Sequence, residues 1–271
     1  MQPAQQKENF FMNFISILGK KGSAWANYIL DLAALFWKAN LSLFRQNSCS
    51  RKLIWSNTLK QILFTGVDGL LVISTVSALL AMVIIFQAHS LLPGMGGELT
   101  ASLLIIIIVR ELGPIITAFI IIGRSGTAVA TELGNMRVSR EIDALYSMGI
   151  DPIHFVVAPR LIGMVISLSL LGIYFDFVGI LGGFLAASFL VDLSNTTFWP
   201  SLLEILRFED IFVGLIKNVF SGIVISIVCC YHGLRVRVSS TEVPQQTTKA
   251  VVNSIFLCFF FNAVFTLAFY I

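Results

Sequence analysis

Residues 102–123 read SLLIIIIVRELGPIITAFIIIG. As a helix this stretch rises about 33 Å, enough to cross a hydrocarbon layer of about 30 Å. Its only charged residues are Arg110 and Glu111. A charge at mid-membrane costs about 2.5–3.5 kcal/mol on insertion scales, so such residues face a bundle interior or a wet cavity. Neighbours on a helix point about 100° apart. Arg110 and Glu111 therefore do not cancel each other as an i, i+4 pair, and each calls for another partner or a polar surface. Gly113-Pro114 follows directly and is expected to kink or loosen the helix. Two readings are open: a polar patch in a substrate cavity, or a structural ion pair that locks the bundle.

Four further apolar stretches lie outward from this one, at residues 62–86, 161–190, 211–231 and 251–271. The third span is long for a straight crossing and is expected to tilt or protrude. The 271 residues are 56% hydrophobic and only 12% charged, against about 25% charged in soluble domains. Lipid, not water, is the main solvent for such a chain. The predicted fold class is an all-α integral membrane protein: five transmembrane helices, an N-terminal interfacial amphipathic helix and a short cytoplasmic helix. No linker, low-complexity tract or internal repeat is visible, which weakens a secondary-transporter reading. Residues 1–57 are read as a cytoplasmic and interfacial segment and 58–271 as one five-span domain. No cleavable signal peptide is legible at the start, so insertion is expected to rely on the spans.

Within residues 10–45, Trp25, Ile29, Leu32, Phe36 and Leu43 share one helical face, and Asn27, Asp31, Lys38 and Arg45 share the other. That pattern suits a helix lying in the membrane interface. Orientation follows from the basic residues. Eight precede the first span, from Lys7 to Lys60. Arg124, Arg137, Arg140 and Arg160 lie between the second and third spans, and Arg235, Arg237 and Lys249 between the fourth and fifth. Fifteen of the 18 Lys and Arg thus share one side, which places the N-terminus in the cytoplasm and the C-terminus outside.

The four cysteines have neither CxxC nor metal-ligand spacing, and His89, His154 and His232 lie far apart in sequence. No metal or other cofactor is expected. No Gly-rich phosphate loop, HExxH or nucleophile elbow is present, so no enzyme activity is expected and any energy must come from a partner. Nothing in the chain suggests nucleic-acid binding.

Three more features bear on function. Asp176 shares a helical face with Gly172, Gly179 and Gly183, a small-residue packing surface. It reads as a buried partner to a basic residue, with a proton relay as the alternative. Lys217 either snorkels to the outer face or pairs with Asp176 or Glu111. Between the second and third spans, residues 139–149 read as a short helix with Ser139 as N-cap and Gly149 and Pro152 as the stop. Val138, Ile142, Leu145 and Met148 form its apolar edge. It either docks a partner or lies on the membrane surface.

Several motifs together resemble the MlaE permease family, the membrane subunits of bacterial phospholipid ABC transporters, related to chloroplast lipid-import permeases. They are RELGP from Arg110, GRSG from Gly123, TELGNM from Thr131, IDAL from Ile142 and MGIDP from Met148. LIKNVF from Leu215, CYHGLR from Cys230 and TTKAVV from Thr247 extend the likeness, which runs from about Thr58 to the C-terminus. The chain departs from the family pattern at Ser239–Val243 and at Asn262.

The resemblance implies a homodimeric permease in the bacterial inner membrane, with phospholipid as substrate. It also implies a cytoplasmic ABC ATPase that binds the ATP, a periplasmic MCE-domain lipid carrier, and often a small STAS-domain protein. Arg110 and Glu111 are then expected to line the lipid cavity, and Asp176 and Lys217 to form an intramembrane polar network. Glu132, Arg137, Arg140, Ile142, Asp143, Leu145 and Met148 are expected at the ATPase contact. An ion-coupled carrier using Asp176 and Glu111 is the competing function.

Overall fold

The computed structural model describes residues 23, 25–41, 48–91, 102–190, 200, 202–237 and 239–270. Among these every element is helical. Helix α1 covers 25–41, α2 covers Ser48–Thr65 and α3 covers Leu70–Leu91. Helix α4 runs Ser102–Val138, and the short α5 runs Glu141–Ser147. Helix α6 is continuous from the π-helical Ile153–Val157 through Ala158–Leu190, followed by α7 (Phe208–Leu234) and α8 (Glu242–Tyr270).

Among the described residues five helical spans are long and apolar enough to cross a membrane: Ile54–Ser90, Ser102–Val138, Ile153–Phe189, Phe208–Leu234 and Glu242–Phe269. The first joins α2 and α3 through a single 3-10 turn, Val67–Gly69. The first three are 37 residues each, about 55 Å at 1.5 Å per residue. They overrun the apolar stretches read from the sequence, because helical hydrogen bonding continues where the side chains turn polar.

Helix α6 packs between α3, α2 and α7, and α7 packs on α8 and on the second half of α4. Small residues set these approaches, as expected where lipid gives no hydrophobic drive between helices. At Gly222 an added Cβ would stand 2.9 Å from the Val165 Cα, so the two backbones meet with no room for a side chain. The core is mainly aliphatic, with Ile73, Ile108, Ile121, Leu133 and Met164 fully covered beside the aromatic Phe175.

The part of the N-terminal segment at 25–41 is helical; 10–22 and 42–45 lie outside the described residues. Helix α1 is fastened to the α7–α8 end by polar contacts. The Tyr28 hydroxyl lies 3.2 Å from the His232 Nε2, and the Asn253 Nδ2 donates to that hydroxyl at 3.2 Å. The Tyr231 hydroxyl donates to Asp31 at 3.1 Å. Burial pushes the Tyr28 hydroxyl up to about 12, so it stays neutral. Trp25, Ile29, Leu30, Trp37 and Leu41 remain exposed.

Candidate functional site

The charged pair in the second span sits on a π-helical stretch, Ile105–Leu112, immediately before Gly113-Pro114. Proline has no N–H to give the carbonyl four residues back, and here that carbonyl belongs to Arg110. The Lys217 ammonium, from α7, donates to it at 2.7 Å. The break expected from Gly113-Pro114 is thus taken up by a wider helical turn, a common device at functional sites, and its freed acceptor is filled by a cation.

Each charge finds its own partner, as their divergence on the helix requires. The Arg110 Nε lies 2.9 Å from the Asp210 Oδ1, and its Nη2 donates to the Asp210 Oδ2 at 3.1 Å. Asp210 is only 2% exposed. It lies in the first turn of α7, where the free N–H groups favour a carboxylate, and it also accepts from the Arg207 N–H at 3.3 Å. Glu111 lies 3.6 Å from the Lys217 Nζ. Thr266 of α8 bridges them: Lys217 donates to its hydroxyl at 2.8 Å, and that hydroxyl lies 3.0 and 3.2 Å from the two Glu111 oxygens. Lys217 is fully buried, whereas the Glu111 side chain is 37% exposed. Of the four charges, Glu111 presents the most surface.

Asp176 does not belong to this network. Among the described residues it has no ion pair, so the basic partner expected from the sequence is absent. It faces Gly113 so closely that a Cβ there would meet its Oδ1 at 2.5 Å, and that oxygen is buried without a hydrogen bond. Lys217 pairs with Glu111 rather than with Asp176 or solvent.

Helix α5 also differs from expectation. Ser139 ends α4 instead of capping α5, and the reversal is made by Arg140 in the left-handed conformation with φ 59°. Gly149, at φ 73°, closes the far end. Ile142, at 3% exposure, is buried within the chain itself, and Leu145 is half-buried against the hydrophobic core. The outer face instead carries Tyr146, Met148 and Ile150, with Tyr146 58% and Met148 65% exposed. Arg137 pairs with Asp143 and tethers α5 to α4. Glu132 pairs with Arg160 of α6 at 3.0 Å.

The family model described as Permease MlaE matches residues 58–268. The chain belongs to the MlaE permease family. It is 33% identical over 213 residues to a probable ABC transporter permease protein of Rickettsia prowazekii, covering 78% of this chain and 82% of that one. It is 30% identical over 247 residues to the intermembrane phospholipid transport system permease protein MlaE of Haemophilus influenzae, covering 90% of this chain and 92% of the relative. It is 32% identical over 205 residues to the chloroplastic Trigalactosyldiacylglycerol 1 protein of Arabidopsis thaliana, covering 75% of this chain and 59% of the relative. The resemblance carried by the RELGP-to-MGIDP run is therefore real, and this MlaE-family chain is an ABC transporter permease.

Two members of the charge network escape a reading of this permease's sequence. Asp210 stands 100 residues from Arg110 and sits beside Arg207, where it looks like a loop acid. Thr266 is a lone hydroxyl in an apolar run. The unmatched charges of RELGP signal that partners exist but not which residues they are.

Proposed function

We propose that this chain is the membrane-spanning subunit of an ABC transporter that moves phospholipid between the bacterial inner membrane and a periplasmic MCE-domain carrier. In this reading it works as a homodimer with cytoplasmic ABC ATPase subunits, and a STAS-domain protein is a further candidate partner. Family membership and the name of the Haemophilus influenzae relative support the class and the substrate. The observation that carries the reading within the chain is the paired charge band, with the buried Lys217 holding a partly exposed Glu111 among apolar spans. Ions kept at membrane depth at such a cost mark a path for polar groups. An ion-coupled carrier is not favoured, because the family and the ABC permease relatives point to ATP as the energy source. Copurification of the complex with its bound lipids, identified by mass spectrometry, tests the substrate; a complex devoid of phospholipid overturns it.

The N-terminus is assigned to the cytoplasm and the C-terminus to the periplasm, on the basis of the Lys and Arg bias. A reporter fused after Ile271 is expected to register as external; cytoplasmic activity of the fusion contradicts the assignment.

Coupling to the ATPase is assigned to α5. Exposed Tyr146, and Met148 just past the helix end, are the groups free to enter a groove on a partner, while Arg140, Arg137 and Asp143 set charge around it. Glu132 pairs with Arg160 away from this helix. Tyr146→Ala/Met148→Ala is expected to weaken ATPase retention at least about tenfold, as loss of interface anchors does. Ile142→Ala is expected to lower the stability of the permease itself, by about 2–5 kcal/mol. Full ATPase retention by the Tyr146/Met148 double variant, measured by copurification, removes α5 from the contact.

A further inference from the structure

On α2, Asn57, Lys60, Gln61 and Phe64 recur at helical spacing and face α4 and α6 across a cleft of about 360 Å³, within the size range of small-ligand sites. The opposite walls are apolar at Val129 and Val156 and polar at the Glu132–Arg160 pair. The Arg160 guanidinium is engaged by Glu132 and by the Val129 carbonyl at 3.4 Å. The Lys60 ammonium has no ion pair or hydrogen bond among the described residues, and Lys60 is exposed. Among the described residues the cleft therefore offers one unengaged cation and an exposed carboxylate at Glu132 that is shared with Arg160. It also offers the partly exposed ring of Phe64, which lies under the Arg124 guanidinium at 5.2 Å.

Its depth in the membrane follows from the helices. The apolar run of α4 ends at Gly123. Arg124 marks that level by donating to the Phe64 carbonyl at 2.7 Å and pairing with Asp68 at 3.0 Å. The α4 lining, Ala128 to Glu132, lies about 6–12 Å beyond Arg124 at 1.5 Å per residue, and Lys60 about 6 Å beyond Phe64. The headgroup layer on each side of a bilayer is about 5–7 Å thick. Lys60 and Ala128 thus fall at headgroup depth, Glu132 on the water side just beyond it, and Phe64 at the edge of the acyl chains. The Glu111–Lys217 band lies about 25–30 Å away along α4, within the apolar part of the span.

We propose that this cleft is a separate phospholipid site, holding a headgroup from the leaflet on the α5 side, with its phosphate on Lys60 and an acyl chain along Phe64. A zwitterionic headgroup places its ammonium on Glu132. The proposal rests on the membrane reading of the spans and not on the transport activity.

The test places a photocrosslinking residue at Asn57 in the assembled transporter, held in nanodiscs of phosphatidylethanolamine and phosphatidylglycerol. Adducts are identified by mass spectrometry. A phospholipid adduct is expected, and Lys60→Glu is expected to reduce it about fivefold or more, the equivalent of one exposed charge contact. Ala128→Phe, which fills the cleft, is expected to do the same. Lys60→Glu alone decides if the filled variant does not fold. Excess inorganic phosphate is expected to leave the adduct intact; its displacement by phosphate assigns the site to the free ion and overturns the proposal. A polypeptide adduct shows that a partner subunit covers the cleft, and a lipid adduct indifferent to Lys60→Glu shows only boundary lipid; either overturns it. ATP-driven lipid movement by the wild-type complex remains a separate readout, so failure here is distinguishable from failure of the transport function.

Discussion

Arg110→Ala is expected to lower the yield and melting temperature of the permease sharply, at a cost of about 3–5 kcal/mol. The substitution takes the Arg110 guanidinium away from the buried Asp210 carboxylate, and removing one member of a buried pair is far more costly than never having built the pair. Asp210 is 2% exposed and takes both the Nε and an Nη2 contact from Arg110. It also accepts from the Arg207 N–H at 3.3 Å. Arg110→Ala/Asp210→Asn removes the buried charge as well and is expected to recover most of the loss. Thermal melts of the two variants in detergent check this. Equal melting of the single and double variants contradicts the pairing. On this account Arg110 serves mainly to hold the start of α7 against the second span, which is the structural one of the two roles the sequence left open for it.

The second large effect is expected at the other pair and takes a different form. Glu111→Gln keeps an oxygen that accepts from Thr266, and Lys217 keeps its contacts with the Arg110 carbonyl and the Thr266 hydroxyl. Assembly is therefore expected to survive, while transport falls by roughly a hundredfold, as the loss of a charged contact worth about 3 kcal/mol implies. Lys217→Met removes the buried ammonium altogether and leaves the Arg110 carbonyl without that donor, but Glu111 retains its exposed edge. It is expected to fold less well than Glu111→Gln and to transport no better. Lipid transfer by purified complexes of equal subunit composition separates the outcomes: normal transfer by Glu111→Gln shows that the pair is structural only.

These two pairs show what the sequence carried and what it did not. Lipid as solvent is legible because it depletes charge over stretches of about 20 residues, so the five spans and the anomaly of Arg110 and Glu111 stand out without tertiary information. The partners do not, because ion pairing across helices joins residues about 100 apart. Asp176 shows the converse. A membrane acid invites a basic partner, yet helix packing brings it against Gly113, whose missing side chain makes the space. At α5, periodicity groups Val138, Ile142, Leu145 and Met148 on one edge, but it does not say which way that edge points. The left-handed Arg140 turns Ile142 into the bundle and leaves Tyr146 and Met148 outside. No propensity rule favours an arginine in that conformation, so Ser139 looked like the better cap.

The most direct test of the account is ATP-driven phospholipid movement in proteoliposomes containing this permease and its ATPase, with labelled phospholipid as the reporter. The account predicts movement that requires ATP, is indifferent to an imposed ion gradient, and is lost in Glu111→Gln at unchanged assembly. Movement driven by an ion gradient without ATP, or none with ATP in a fully assembled complex, contradicts it.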